Sequence, residues 1–325
     1  MKKSVERLGR FYLTSSIAPI ATLLVIILAF FSCMSPYFMT VSNVLNIFRQ
    51  VSMIGIAACG CITVMLSGGI DLSIGSMVTF LNCFCAMMMV KWGVGVVPAC
   101  LITVAAGTLF GAINGGLISF FGLMPFITTL CMQYVLKGAA YIMTGSQAVH
   151  GLTDGFKFLG QGYLAGIPVP VIIMIVIAVI TGIILKRTYI GRYFYYLGGN
   201  EEAAKLSGIN TKAVRILSYT LNGFFTGIAS VIWLSRIGSG QPSTGTGFEF
   251  DVICGLVLGG ISAEGGTGGI FGAIIGVVTI GFLNNGMVMV SLGEYHQMVV
   301  KGLVLLFAIM LDRAKQVMRA NAKSL

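Results

Sequence analysis

Two short runs carry the residue types from which this chain could build chemistry. In Ser67-Gly68-Gly69-Ile70-Asp71-Leu72-Ser73-Ile74-Gly75 a carboxylate stands among glycines inside otherwise apolar sequence. A charged side chain at the centre of a membrane helix costs about 2.5–3.5 kcal/mol on insertion scales, so Asp71 needs a compensating role. Two compatible roles are open. Asp71 or Ser73 can cap the helix that follows, or the run can be a broken helix lining a polar passage. The second run is Leu197-Gly198-Gly199-Asn200-Glu201-Glu202-Ala203-Ala204-Lys205-Leu206-Ser207-Gly208-Ile209-Asn210. Asn200 suits an N-cap, Glu201 and Glu202 a first helical turn, and Gly208 the C′ position. The resulting helix of about two turns is too short to hold alone in water. Its Ala203, Ala204 and Leu206 call for a surface, and a partner protein is the natural one.

Other chemistry is excluded by what is missing. The sequence contains no GxxxxGK[ST], and its Gly-rich GGTGGIFG at 265–272 is not GxGxxG. It has no HExxH, no GxSxG and only two histidines, His150 and His296, both near expected outer membrane edges. An enzyme has little support.

The elements that must position these runs follow from composition. The chain has 325 residues, 57% hydrophobic and 9% charged, with 44 glycines. A soluble domain carries roughly 25% charged residues and about 7% Gly, so this is an integral membrane protein. Its apolar residues run in unbroken blocks without period-2 alternation, which excludes a transmembrane barrel. The fold class is therefore all-α. Ten apolar segments stand at about 11–33, 51–66, 74–90, 96–118, 125–142, 169–185, 216–235, 250–261, 269–284 and 297–311. Several are shorter than the roughly 20 residues that span a bilayer and must tilt, break or sit within a bundle.

The net charge of +10 is a topology signal. Fourteen of the 20 Lys and Arg lie in the N-terminus (Lys2, Lys3, Arg7, Arg10), in one loop (Lys186, Arg187, Arg192, Lys205, Lys212, Arg215) and in the tail (Arg313, Lys315, Arg319, Lys323). Ten spans with both termini cytoplasmic put all three groups inside, as the positive-inside bias requires. Nucleic acid is not an expected partner. The chain reads as a single membrane domain over 1–325, with a basic N-terminus at 1–10, a cytoplasmic loop at 186–215 and a basic tail at 312–325. Outer segments 143–168 and 236–248 are Gly-rich and polar. Ser42–Gln50 looks like a short interfacial helix with Ser42 as N-cap. Gly107, Gly111 and Gly115, and again Gly268, Gly272 and Gly276, are spaced for close helix packing. The eight cysteines suggest buried packing without a disulfide framework, and no metal site is expected. Lys137 and Lys301 read as snorkelling side chains.

The run Gly191-Arg192…Gly199-Asn200-Glu201-Glu202-Ala203-Ala204…Gly208-Ile209 resembles the EAA-type loop of ABC importer permeases. GGIDLSIG (68–75), SGQPSTGTGFEFD (239–251), LGGIS…GGTG (258–268) and GFLNNGM (281–287) resemble bacterial monosaccharide permeases of the ribose, xylose, arabinose and galactoside type. The resemblance runs from about Pro36 to Asp312. It implies a multi-pass subunit of the bacterial inner (plasma) membrane working with a second permease copy, identical or similar, among membrane lipid. A periplasmic sugar-binding protein would dock around Gln241–Asp251 and Asn284–Gln297. An ABC ATPase subunit with two nucleotide-binding domains would seat the coupling helix, carried over to Asn200, Glu201, Glu202, Ala203, Ala204 and Gly208. ATP would sit on that partner, with no cofactor on this chain. Asp71, Ser73, Asn114, Thr128, Thr129 and Asn222 are candidates for the sugar path. Two alternatives stay open: a secondary transporter, for which Asp71 is the one clear intramembrane acid, and a branched-chain amino-acid permease.

Overall fold

The computed structural model describes residues 18–323. The basic stretch 1–10 and the start of the first apolar segment lie outside the described residues. The described elements are α1 Ala18–Met34, α2 Val41–Leu66, α3 Ile74–Val90, α4 Val96–Phe121, α5 Pro125–Thr144, α6 Asp154–Gln161, a two-stranded hairpin (β1 Tyr163–Leu164 and β2 Ile167–Pro168), α7 Val169–Arg187, α8 Tyr189–Gly199, α9 Glu201–Leu206, α10 Thr211–Ile237, α11 Phe248–Leu258, α12 Ile270–Met289 and α13 Glu294–Lys323. Each of the ten apolar segments falls on a helix over most of its described residues, the eighth running past the end of its helix at Leu258. Among the described residues six helices (α2, α4, α5, α7, α10 and α12) are long and apolar enough to cross a membrane; α1 and α3 are shorter apolar helices. The chain is thus a multi-helix membrane protein, helical apart from one short hairpin.

α2 is the central post. Every residue from Val51 to Leu66 is buried, because α7, α8, α10, α11 and α12 all pack against it. Val41 to Leu66 form one helix, so the separate interfacial helix expected at Ser42–Gln50 does not exist. The cap is Thr40, whose Oγ1 accepts from the Asn43 N–H, and no Pro interrupts the run before Leu66. Asn43 faces inward and exchanges amide hydrogen bonds with Asn285 of α12 at 2.8 and 3.0 Å.

Small residues set the helix spacing. A Cβ at Gly111 would collide with the Tyr219 carbonyl of α10, and one at Gly107 would lie 2.6 Å from the Gly223 carbonyl. The first ladder therefore packs α4 on α10 within this chain. The second is shorter than its spacing predicted. Gly268 precedes α12, and of the three only Gly272 and Gly276 belong to the helix, meeting Gly259 just past the end of α11 and Gly255 within it.

At one end of the bundle two turns and the end of α8 share a backbone joint. The Gly266 N–H donates to the Leu66 carbonyl at 3.0 Å. A Cβ at Gly265 would lie 2.8 Å from the Gly68 nitrogen and 3.0 Å from the Gly198 Cα. A Cβ at Gly198 would run into the Leu66 carbonyl. Arg313 pairs with Glu264 at this end. At the opposite end the 143–168 stretch holds α6 and the β1–β2 hairpin. Amphipathic α6 docks on α10, with the Ser235 Oγ donating to the Phe156 carbonyl and accepting from the Gly160 N–H.

Candidate coupling helix and buried polar cluster

α8 turns sharply out of α7. Thr188 caps it, its Oγ1 accepting from the Gly191 N–H at 3.1 Å, and Gly191 sits against the Ile184 and Leu185 carbonyls. Sequence reasoning missed this helix, although the Thr188 cap before an aromatic-rich amphipathic run was a usable signal. α9 follows directly. The Asn200 side chain accepts from the Ala203 N–H at 2.9 Å. Gly208, at φ +81°, ends the turn, its N–H bonding the Lys205 carbonyl, in backbone space that favours glycine. Ala204 is buried within the chain, whereas Ala203 and Leu206 are exposed, Leu206 by 89%. Of the three apolar residues expected to seek a partner, Ala204 has an internal one.

The charges of α9 lock it to α10. Arg215 Nη2 lies 2.6 Å from Glu201 Oε2, and Lys205 bridges Glu201 and Glu202 at 3.3 and 3.1 Å. The Arg215 guanidinium holds the Glu201 carboxyl below its usual value, with Lys205 adding to the effect. Contact with Glu202 and then Glu201 raises the Lys205 ammonium. A carboxyl whose proton affinity falls on folding stabilises the fold above the ordinary glutamate range, and that contribution is lost as pH falls through the lowered value. Arg215→Gln is expected to move the Glu201 titration up toward the ordinary glutamate range, with Lys205 still holding it somewhat below. Carboxyl-carbon NMR of labelled glutamate checks this, and an unmoved Glu201 resonance would refute the pairing.

The second cluster forms where α2 breaks. Gly68, at φ +77°, turns the chain after Leu66, and α3 begins at Ile74. Asp71 is fully buried. Its Oδ1 accepts from the Ser73 N–H at 2.8 Å and the Ser73 Oγ at 2.6 Å; its Oδ2 accepts from Asn222 Nδ2 at 2.8 Å. Asn114 Nδ2 donates to the Ser73 Oγ at 3.0 Å, and Thr129 Oγ1 accepts from the Leu72 N–H at 3.1 Å. Ser73 occupies the N-cap position of α3 without making a side-chain cap bond. Capping therefore takes the form of an Asx turn by Asp71 onto Ser73. Five of the six sequence-selected polar residues meet here. Thr128 does not; its hydroxyl turns back to the Met124 carbonyl. Two buried amide oxygens, Asn114 Oδ1 and Asn222 Oδ1, have no protein partner.

The sequence reading missed other buried charges. Glu249 is 4% exposed, with Oε1 accepting from Gln133 Nε2 at 3.2 Å and Oε2 unpartnered. It fell one residue before the expected 250–261 segment, so Asp71 is not the only acid in the helical interior. Lys301 does not snorkel free; it pairs with Asp251 at 2.9 Å, and Asn284 donates to the same carboxylate. Of the two stretches expected to receive a binding protein, Gln241–Asp251 dips against α3. There Thr79 Oγ1 accepts from the Gly245 N–H at 2.9 Å, and Asn82 Oδ1 accepts from the Gln241 N–H at 3.3 Å. Asn284 and Asn285 are buried, whereas Glu294, Tyr295 and His296 are exposed.

The structure is a helical membrane bundle with a capped short helix at one end and a buried polar cluster in its interior. The chain belongs to the family described as branched-chain amino acid transport system / permease component, whose model matches residues 43–309. It is 39% identical over 301 residues to a ribose import permease protein of Escherichia coli (strain K12), covering 90% of this chain and 92% of that one. A ribose import permease protein of Bacillus subtilis (strain 168) is 41% identical over 294 residues, covering 90% and 91%. A D-allose transport system permease protein of Escherichia coli (strain K12) is 35% identical over 292 residues, covering 90% of each chain. No solved structure matches the chain.

Proposed function

We propose that this chain is the membrane-spanning permease subunit of an ATP-driven importer of a monosaccharide in a bacterial inner membrane. The 39–41% identity to ribose import permeases over nine tenths of the chain carries this reading. All ten helices that hold the apolar segments cross the bilayer in the proposed topology, with both termini and the 186–215 loop cytoplasmic. In support, Arg313 and Gly198 lie at the same end of the bundle, joined through Glu264 and Gly265. α9 is the coupling helix, presenting Ala203 and Leu206 to a separate ATPase subunit that holds the ATP. Asn200 and Gly208 shape its ends, and Glu201 and Glu202 fix it to the protein and to Lys205. A periplasmic binding protein docks at the other end, on the exposed surface around Glu294–His296 and the turn at Ser243–Thr246. A second permease copy completes the unit.

For the sugar path, the proposal assigns Asp71, Ser73, Asn114, Thr129 and Asn222 to a polar wall, with Thr128 beside it. A neutral sugar needs hydrogen-bonding groups that release it readily. Asn114 Oδ1 and Asn222 Oδ1 are acceptors free to take hydroxyl protons once helices part to admit the solute. ATP binding and hydrolysis on the partner would move α9 and shift the permease between outward- and inward-facing states.

A branched-chain amino acid is the second substrate reading, favoured only by the family description. Proteoliposomes holding the permease, its ATPase and its binding protein decide the matter. Labelled ribose, xylose or allose is expected to accumulate only with internal or external ATP on the ATPase side. Uptake of leucine in place of sugars would replace the substrate assignment, and sugar uptake that ignores ATP and collapses with the proton gradient would overturn the class.

A further inference from the structure

A cavity of about 470 Å³ lies between the last turns of α7 and the turn leading into α12. Its walls are Gly182, Ile183, the glycine backbones at 259–260 and 268–269, and Phe271. Tyr195 closes one side, its hydroxyl donating to the Gly268 carbonyl at 2.9 Å. The lining is apolar except at one end, where Lys186 and Arg187 stand exposed. None of the ion pairs among the described residues involves either cation. From the cavity an apolar stripe continues along α7: Ile175, Val176, Val179, Ile180 and Ile183 are each about half exposed. At 1.5 Å per residue this stripe is about 12 Å long.

The groove is therefore amphiphilic in a defined direction, with an apolar trough leading to two unpaired cations at the end of a helix that crosses the hydrocarbon layer. A sugar would leave the trough unmatched, and a free phosphate would leave it empty. A second copy of this chain, itself carrying a net +10, has poor charge complementarity for the mouth. We infer that the groove holds a phospholipid with an anionic headgroup, its phosphate at Lys186 and Arg187 and one acyl chain along α7. The uncapped first turn of α12, whose N-cap Gly269 supplies no side chain, adds a favourable N–H-rich edge beside Phe271. The bound headgroup would bridge α7 to the 268–272 turn, and Tyr195 already ties that turn to α8, the helix that delivers α9. Lipid composition would then act on the seating of the coupling helix.

Native mass spectrometry of the full-length permease, titrated with phosphatidylglycerol, phosphatidylcholine of the same chains, or inorganic phosphate, tests this. One phosphatidylglycerol is expected to be retained in preference to phosphatidylcholine. Each basic side chain near an anionic surface contributes about a fivefold preference, so Lys186→Gln with Arg187→Gln should weaken phosphatidylglycerol about 30-fold. Phosphatidylcholine binding should not change, and Lys212→Gln, an exposed cation outside the groove, should bind like the unaltered protein. Equal phosphatidylglycerol affinity in the double variant overturns the site. So does displacement of the lipid by equimolar phosphate, which would make it a simple anion site, or loss of a two-permease mass in the double variant without any lipid retained in the parent. Both side chains are exposed and neither takes part in an ion pair among the described residues, so the variants are expected to fold. Sugar transport is not a readout here, and the result stands apart from the substrate assignment.

Discussion

Leu206→Glu is expected to return sugar-stimulated ATP hydrolysis by the assembled importer to its unstimulated rate, with the amount of permease in the membrane unchanged. Leu206 is 89% exposed on a helix of six residues, so its side chain is left almost uncovered by the described residues. Burying a leucine against a partner contributes about 1.5–3 kcal/mol. Replacing it with a carboxylate removes that gain and adds a desolvation penalty, so the ATPase should bind at least about 100-fold more weakly. Leu206→Ala should fall between the two. Ala204 is a poorer probe than its place in the EAA-type pattern suggests, because it is 4% exposed and a larger side chain there disturbs the helix itself. Stimulation at the unaltered level in the Leu206→Glu importer would remove α9 from the coupling role.

Gly111→Val should leave almost no folded permease. The Cβ of any residue at 111 meets the Tyr219 carbonyl and lies 3.0 Å from the Gly223 nitrogen. Both are backbone atoms that no rotamer change can move. Overpacking typically costs about 1–3 kcal/mol where side chains can give way, and separating two helix backbones exceeds that range. Tyr219 also holds the Ile70 carbonyl at 3.2 Å, so the disturbance reaches the Asp71 turn. The yield of monodisperse protein extracted from membranes reads the effect. Gly138→Ala is the control, since its added methyl would meet nothing within 4 Å. Parent-level recovery of Gly111→Val would show that α4 and α10 are not in the contact described.

Local rules carried far in the sequence where the chain's own neighbours decide the outcome. The Asn200 cap, the acidic first turn and the Gly208 stop all depend on residues within a turn of one another, and all appear in α9. Composition likewise located every apolar helix. What escaped depends on partners far along the chain. Ser42–Gln50 looked amphipathic because Asn43 and Asn46 are polar, yet Asn43 is buried against Asn285, 242 residues away. Glu249 reads as part of the outer 239–251 stretch, yet it lies in the first turn of α11 with its carboxylate on Gln133 of α5. Lys301 could not be distinguished from a snorkelling lysine without Asp251 opposite it. The Asp71 cluster was half legible. Its members were picked as polar residues in apolar helices, but spacing could not show that Thr128 bonds its own helix while Thr129 reaches the Leu72 N–H.

The joint of Gly68, Gly198 and Gly265–Gly266 has a mechanical consequence. Where loops meet through long side chains, a displacement on one side can be absorbed by rotamers and never reach the other. Here backbone rests on backbone, so the joint has almost no backlash. In the proposed mechanism a push on α9 would pass through α8 to the turn that carries Asp71 in the same stroke, like a rod acting on a hinge pin. A single methyl group at Gly198 would jam it.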